Sequence, residues 1–179
     1  MRKPKAKPTG CVGVRVRVLD GVAQSDTLIN DMIRSIFDIH QGIECTKEQA
    51  SEYVAALFSG KEEATRIYFL TDDARKVLAY AVVEQHIIPA NKSPCYYVMY
   101  LDSFESGNNY AGRLLSRLPG ILQCRKVVHK DAKLCDVEKI TKINTIYLNT
   151  RPGLVIYYIK RNWRIISEND KTTIMLLNQ

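Results

Sequence analysis

Three strand-like segments in succession occupy the middle of this chain, and they restrict its fold more than any other feature. They read ATRIYFLTDD (64–73), RKVLAYAVVEQHIIP (75–89) and CYYVMYLDSF (95–104), and each is rich in β-branched and aromatic residues. Strands that follow one another without an intervening helix usually pair as antiparallel neighbours. The helical segments before and after them add crossovers, so the chain predicts an α/β fold with a mixed, mostly antiparallel sheet and helices on both faces.

Hydrophobic periodicity supplies the remaining elements. The segment 11–21 alternates valines with polar or small residues, as a half-buried strand does. Apolar residues at helical spacing predict a helix in 24–42 that stops at Gly42. A second helix, in 46–60, opens with a Thr46/Gln49 capping box. A third begins near Ala111, and Pro119 must end or kink it.

The C-terminal third of the chain continues this alternation. A strand is predicted in 143–149 and a helix in 152–163, with Pro152 well placed at its first position. The segments 163–167 and 171–177 then form a hairpin. Altogether we expect about seven strands flanked by about four helices.

The chain has the size and composition of one globular domain. Hydrophobic residues make up 46% and charged residues 25% of its 179 positions, enough to bury a core without disulfides or metals. No apolar run approaches the roughly 18 residues that a membrane-spanning helix needs. We therefore expect a single domain over 11–179 that has no membrane partner and works in the cytoplasm.

A basic, proline-interrupted tail precedes this domain. Four charges of the net +7 come from Arg2, Lys3, Lys5 and Lys7. A segment of this composition cannot bury apolar surface, so residues 1–10 are predicted to be disordered. Such tails bind nucleic acid, acidic partners or nuclear import receptors, or only keep a protein soluble. Nuclear localisation therefore stays open beside the cytoplasm.

The five cysteines are widely spaced and include no CxxC pair. An odd count with irregular spacing favours reduced thiols over a disulfide framework. Cys124, His129 and Cys135, in the basic and weakly patterned segment 123–142, offer three candidate metal ligands. Their spacing matches no standard zinc motif and a fourth ligand is not evident, so we predict no metal site.

The segment LDSFESGNNYAGRLLSRL (101–118) reads as a strand end, a polar loop and the start of a basic helix. Together with the order of elements, it resembles the GCN5-related N-acetyltransferase (GNAT) superfamily. In that family an apolar–Asp strand end leads into a Q/R-x-x-G-x-G/A loop and a helix opening with two leucines. Here Ala111 fits the last loop position, whereas Ser106 replaces Gln or Arg and Asn109 replaces Gly. Asparagine tolerates left-handed backbone, so the loop geometry is expected to survive.

A second segment carries the same resemblance. The last helix of the family has an aromatic pair and then a Gly-Phe or Gly-Trp step into the next strand. Here Tyr157–Tyr158 is followed at the family spacing by Asn162–Trp163. Asn162 again replaces glycine, at a helix C-cap where asparagine is the accepted second choice. The family's asparagine before this helix falls at Arg151 by strict count.

The resemblance implies acetyl-CoA as cofactor. Backbone groups of residues 100–102 would hold its pantetheine arm, and N–H groups of 107–112 its pyrophosphate, as in other phosphate-binding loops. Arg113 would add a charge-assisted contact or else lie on a solvated helix face. The implied cofactor-binding residues are Leu101, Asp102, Ser106, Gly107, Asn108, Asn109, Tyr110, Ala111, Gly112 and Arg113.

Tyr158 falls where family members carry the general acid that protonates the leaving sulfur. Tyr157 is the alternative if the register differs by one, and Tyr158 would then be a core tyrosine. The family's glutamate base falls at Cys95, which leaves Asp102 and the Glu84–His86 pair. Those two share one face of a strand, where a carboxylate beside an imidazole could deprotonate an amine through water. Glu84 is our predicted base, and the wet face of an edge strand is the alternative interpretation.

The implied activity is transfer of an acetyl group from acetyl-CoA to an amine. The basic tail and the basic segment 125–142 suggest an amine on a protein or a nucleic-acid-associated acceptor, and a homodimer is one assembly left open. The missing loop glycine and the missing family base favour an alternative: a binding module that keeps the fold without catalysis, with nucleic acid as one candidate ligand. A family member that acts on nucleic acid is a further alternative.

Overall fold

The computed structural model describes residues 13–40, 45–60, 64–88, 93–123 and 145–177. Within these ranges seven strands form one sheet in the order β1-β2-β3-β4-β5-β7-β6. Only β4 and β5 run parallel, and every other neighbouring pair is antiparallel. The predicted mixed, mostly antiparallel sheet is therefore confirmed. The strands are β1 (Val14–Val18), β2 (Thr65–Asp72), β3 (Val77–Ile88), β4 (Ser93–Ser103), β5 (Thr145–Thr150), β6 (Trp163–Glu168) and β7 (Thr173–Leu177).

Helices cover both faces of this sheet, as predicted. On one face, α1 and α2 pack against inward-facing residues of β2 and β3; on the other, α3, α4 and α5 pack against residues of β2 to β5. The helices are α1 (Asp26–Ile39), α2 (Lys47–Phe58), α3 (Tyr110–Leu115), α4 (Leu118–Gln123) and α5 (Val155–Ile159), with 3-10 turns at Leu19–Gly21 and Pro152–Leu154.

The caps of α1 and α2 follow directly from sequence. The Ser25 hydroxyl accepts from the N–H of Leu28, and the predicted Thr46/Gln49 capping box is present with both of its hydrogen bonds. The predicted stop of α1 at Gly42 lies outside the described residues. One polar residue, Ser35, is buried among the apolar side chains of α1.

The helix that begins near Ala111 is short, because it is interrupted at Pro119 as predicted. Pro119 lacks the N–H that a continuous helix would need there, so the chain turns at Ser116 and Arg117 and restarts as α4. The helix predicted for 152–163 is shorter than predicted, because Pro152 and Gly153 form a 3-10 turn before α5 begins. Asn162 takes a left-handed conformation (φ 68°) just beyond α5, as the sequence predicted.

A bulge in β4 opens the sheet at its centre. Val83 of β3 pairs with Val98, and Val82 pairs with Tyr100, so Met99 is an extra residue in β4. The parallel pairing of β4 with β5 ends at Val98 and Leu148, although both strands continue. Beyond this point β4 stays bonded to β3 and β5 stays bonded to β7, so the two strands diverge with a gap between them.

Several predictions of the sequence concern residues outside these ranges. They are the disordered tail 1–10 and the segment 124–142 with Cys124, His129 and Cys135. Among the described residues, no helix is both long and apolar enough to cross a membrane, and no group of three metal-ligating side chains occurs.

Candidate active site

The gap between the diverging strands is a cavity of about 360 Å³. Its walls are the end of β4 (98–102), the end of β5 with Arg151 (148–151), one side of α1, and Leu154 and Tyr158 from the segment before and within α5. We call it the α1-side cavity. Because the backbone N–H and C=O groups of the separated strands have no strand partner across the gap, they can bind an extended ligand there.

A second cavity, of about 270 Å³, adjoins the first and reaches the loop after β4. We call it the loop-side cavity. The two cavities share Leu101, Leu154 and Tyr158 in their walls. The loop-side cavity is closed by Ser103, Gly107, Asn109, Ala111 and Tyr157. A groove therefore runs from the loop to the strand gap and passes Tyr158 midway.

Tyr158 is buried, with 8% of its surface exposed, at the junction of these cavities. Burial raises the pKa of its phenol to about 12, and the charge of Tyr157 acts in the same direction, whereas a hydrogen bond with Thr150 opposes it. At neutral pH the phenol therefore keeps its proton, as a general acid requires. The ring also contacts Trp163 edge-on, at 6.0 Å between centroids.

This burial predicts an alkaline limit of stability. Tyr158 and Tyr100 each have a pKa raised to about 12 by burial, against an ordinary value of 10.0. Above pH 10 the unfolded chain therefore ionises these phenols while the folded chain does not, so the free energy of unfolding falls with rising pH until about pH 12. Below pH 10 neither state ionises them, and this effect vanishes.

Urea unfolding between pH 8 and pH 12 would measure it. Tyr158→Phe should flatten the alkaline fall without affecting its onset, because one of the contributing phenols is removed. An equal fall in the variant would contradict the assignment of a raised pKa to Tyr158.

The loop between β4 and α3 keeps the conformation that the sequence predicted. Asn109 is left-handed with φ 52°, and Gly107 has φ 86°. The sequence did not predict the role of the Asn109 side chain, whose Oδ1 accepts from the Tyr157 hydroxyl at 3.2 Å and from Arg161 at 3.0 Å. The Arg161 guanidinium also lies 3.5 Å from the centre of the Tyr157 ring. These contacts form a clamp that joins the loop to α5.

Gly112 lies under this clamp. A Cβ at Gly112 would come within 2.3 Å of Asn109 Oδ1 and 2.6 Å of the Tyr157 hydroxyl. Gly112 and Asn109, with Arg113, Arg161 and Trp163, also line a third cavity of about 440 Å³. The guanidinium of Arg113 lies 5.8 Å from the centre of the Tyr110 ring. Two cations therefore border the loop, and only Arg113 was predicted.

The predicted cofactor-binding residues divide into two groups. Leu101, Asp102, Gly107, Asn109, Ala111, Gly112 and Arg113 line at least one of the three cavities. Ser106 and Asn108 are exposed in the loop, and Tyr110 is half-buried at the start of α3; none of the three lines these cavities.

Asp102 has a position that its sequence context did not indicate. The Ser35 hydroxyl donates to its Oδ2, and the backbone N–H of Ser103 donates to its Oδ1 at 2.8 Å. Ser35 also bonds the hydroxyl of Tyr80 at 2.7 Å. Of the three cavities described above, Asp102 lines the α1-side cavity, with Asp38 of α1. Arg151 closes one end, where its guanidinium donates to the carbonyl of Ile39.

Glu84 is not brought to Tyr158. On β3 it lies four residues, or about 13 Å, from Tyr80, the residue that pairs with Asp102 of the cavity wall. Glu84 lines neither of the cavities that Tyr158 lines. Its Oε2 is 3.2 Å from His86 Nε2, and His86 contacts Tyr97 and Tyr147 edge-on. The edge-strand interpretation is wrong for Glu84, because β3 pairs with β2 and with β4 at this residue. Cys95, at the family's base position, is buried, which raises the pKa of its thiol.

Comparison with known proteins adds information at the level of structure only. No protein-family model and no curated protein sequence matches the chain. Solved structures do match over nearly the whole chain. Tetrahymena GCN5 matches with a TM-score of 0.54 and 15% sequence identity, covering 93% of this chain and 95% of the other.

Two further matches agree with the first. A protein from Desulfovibrio desulfuricans assigned to the GNAT family of acetyltransferases gives a TM-score of 0.56 at 14% identity, over 93% of this chain and 99% of its own. The toxin AtaT has been solved with acetyl-methionyl-tRNAfMet (TM-score 0.54, 12% identity, 90% and 94% covered). AtaTR has been solved with AcCoA (TM-score 0.54, 13% identity, 91% and 92% covered). The chain therefore has the GNAT fold.

Proposed function

We propose that this protein is a divergent GNAT acyltransferase that transfers an acetyl group from acetyl-CoA to an amine. One observation carries the proposal: a buried, protonated Tyr158 lies midway along a groove that joins the β4/β5 gap to the loop before α3. The GNAT fold alone would not require a phenol at this junction, because a fold hosts more than one function.

The groove has groups suited to each part of acetyl-CoA. Unpaired backbone of residues 99–102 in the gap suits the amides of the pantetheine arm, because an extended chain of amides can pair with a strand edge. The loop at Gly107 to Asn109 and the guanidiniums of Arg113 and Arg161 suit the phosphates. The walls at Leu101 and Leu154 are apolar and can exclude water from the reacting atoms.

The chemistry then depends on two protein groups. Bound acetyl-CoA supplies an activated thioester. Tyr158 holds its proton at neutral pH and can donate it to the sulfur that departs as thiolate. The part of the α1-side cavity beside Asp102, on the other side of Tyr158 from the loop, is the place for the acceptor amine.

We also propose that the amine is carried by a macromolecule. The chain has a net charge of +7, which favours association with a polyanion. One structural neighbour, AtaT, was solved with acetyl-methionyl-tRNAfMet. An amine at the end of a polyanionic carrier would fit both a basic protein surface and the carboxylate of Asp102 in the cavity wall.

A second candidate is a binding module without catalysis. The observation in its favour is the clamp: Asn109 and Tyr157 fill the space above Gly112, beside the loop that would receive the pyrophosphate. A clamp that never opens would exclude the cofactor and leave only the fold.

Calorimetric titration with acetyl-CoA separates the two candidates. We expect saturable binding, and Arg161→Met should weaken it by about tenfold, because a charge-assisted contact is lost beside the phosphates. Lys160→Met is the matched control, since it removes the same charge from the adjacent, exposed residue; it should leave the affinity within about twofold. If the unmodified protein takes up no acetyl-CoA, the acyltransferase proposal fails and the binding module stands.

A further inference from the structure

Three polar groups, of which Tyr80 and Ser35 are buried, form a chain that ends at Asp102 in the α1-side cavity. The Tyr80 and Ser35 hydroxyls lie 2.7 Å apart, and Ser35 contacts Oδ2 of Asp102. A carboxylate can only accept hydrogen bonds, so the single proton of Ser35 is donated to Asp102. Ser35 must then accept from Tyr80. The direction of the chain is therefore Tyr80 to Ser35 to Asp102.

The two donors of this chain are held rigidly. Tyr80 has no exposed surface, pairs directly with Asp102 across β3 and β4, and stacks on Phe104 at 5.5 Å between centroids. Burial raises the pKa of Tyr80, so it remains a donor at neutral pH. Ser35 is 8% exposed among the apolar residues of α1. A polar chain buried at this depth fixes the orientation of the group at its end.

Asp102 itself remains partly exposed, at the wall of the cavity. A carboxylate has about four acceptor positions. Ser35 and the N–H of Ser103 occupy two of them. The others remain available to a ligand in the cavity, on the opposite side of the strand gap from the loop that suits the cofactor phosphates.

We propose that Asp102 takes the proton of the acceptor amine, and that Ser35 and Tyr80 are positioning residues that hold its carboxylate toward the cavity. This rests on the proposed acyltransferase function. It also names the acceptor class: a primary amine that reaches the site as an alkylammonium ion.

The proton balance of the reaction is complete with these groups. The alkylammonium ion first gives one proton to Asp102, which passes it to solvent. The neutral amine then attacks the thioester carbonyl, a C–N bond forms, and the second proton that the nitrogen loses passes to Asp102. The C–S bond breaks, and the sulfur receives the proton of Tyr158. Solvent then takes this second proton from Asp102 and returns one to Tyr158, so one proton is released overall and no other reactant is needed.

Two acceptors of different protonation state test this role. n-Butylamine is protonated at neutral pH, whereas hydroxylamine is already neutral. Asp102→Asn should lower kcat/KM for n-butylamine by about 100-fold but for hydroxylamine by less than about tenfold, because a general base matters most where a proton must be removed. Calorimetry should show unchanged acetyl-CoA affinity.

Matched variants separate proton transfer from charge attraction. Asp38→Asn removes the same charge from the same cavity and should cost less than about tenfold for either acceptor. Ser35→Ala and Tyr80→Phe should also lower kcat/KM for n-butylamine more than for hydroxylamine, but less strongly than Asp102→Asn does. Ser35→Thr keeps the hydroxyl, so its kcat/KM for n-butylamine should be higher than that of Ser35→Ala. Tyr68→Phe removes a buried phenol hydroxyl from the opposite face of the sheet and controls for general destabilisation.

The outcomes are distinct. If the unmodified protein transfers acetyl to neither amine, the acyltransferase function and this role of Asp102 fall together. If it transfers acetyl, two results would overturn the role of Asp102 alone. Either Asp102→Asn lowers kcat/KM equally for both acceptors, or it lowers kcat/KM no more than Asp38→Asn does. Should Asp102→Asn fail to fold, Tyr80→Phe decides: an unchanged ratio of the two rates would exclude the hydrogen-bonded chain from catalysis.

Discussion

Replacing Tyr158 with phenylalanine is expected to lower turnover by about 100-fold or more while leaving acetyl-CoA affinity nearly unchanged, because only the proton donor is lost. The ring would still pack against Trp163. The lost hydrogen bond with Thr150 should cost about 1 kcal/mol of stability. The rate of thiol release from acetyl-CoA, with n-butylamine as acceptor, measures the effect.

Tyr157→Phe is the matched control for this experiment. It removes the neighbouring phenol, which donates to Asn109 rather than facing both cavities. Losing this hydrogen bond should therefore raise KM for acetyl-CoA, because Asn109 belongs to the loop before α3, and should leave kcat nearly unchanged. If turnover survives Tyr158→Phe and is lost in Tyr157→Phe, the roles of the two tyrosines are reversed. Tyr157 would then be the general acid, as expected if the register of the family resemblance differs by one residue.

Replacing Gly112 with alanine should weaken acetyl-CoA binding by about tenfold or more and lower the stability of the fold by about 1–3 kcal/mol, the usual cost of overpacking. The added methyl would overlap Asn109 Oδ1 and the Tyr157 hydroxyl, so both side chains must move. Both side chains line the loop-side cavity, so moving them should obstruct the space that the cofactor would occupy. Calorimetry measures the affinity, and thermal unfolding measures the accompanying loss of stability.

Gly120→Ala is the matched control. Gly120 also lies in a helix, α4, and nothing lies within 4 Å of the Cβ that alanine would add there. Alanine there should be neutral or stabilise the protein by about 0.5–1 kcal/mol, since glycine is the poorer helix former. Equal behaviour of the two variants would show that the space above Gly112 has no bearing on the cofactor.

Local signals in the sequence were sufficient for the order of elements. The strands, the caps of α1 and α2, and the left-handed asparagines at 109 and 162 all follow from residue type and spacing within a few positions. The length of α5 was predicted less well, because the position at which the helix begins after Pro152 depends on the whole turn around that residue.

The sequence and the structure disagree about the face of the sheet on which the candidate base, Asp102, lies. Strict alternation along β4 would put Asp102 on the same face as Val98, under α3 to α5. The bulge at Met99 reverses this: Leu101 returns to that face, and Asp102 turns toward α1. No local pattern in YYVMYLDS indicates a bulge, because it is decided by how β4 pairs with β3.

The amino-acid sequence by itself therefore determined the layout of the sheet and helices, and the positions of the loop and of Tyr158 along the chain. The tertiary structure alone decided which side chains share the site. Ser35 meets Asp102 across 67 positions, and Arg161 meets Asn109 across 52. Such contacts arise because the diverging strands and their covering helices bring distant segments together, whereas periodicity reports only on neighbours.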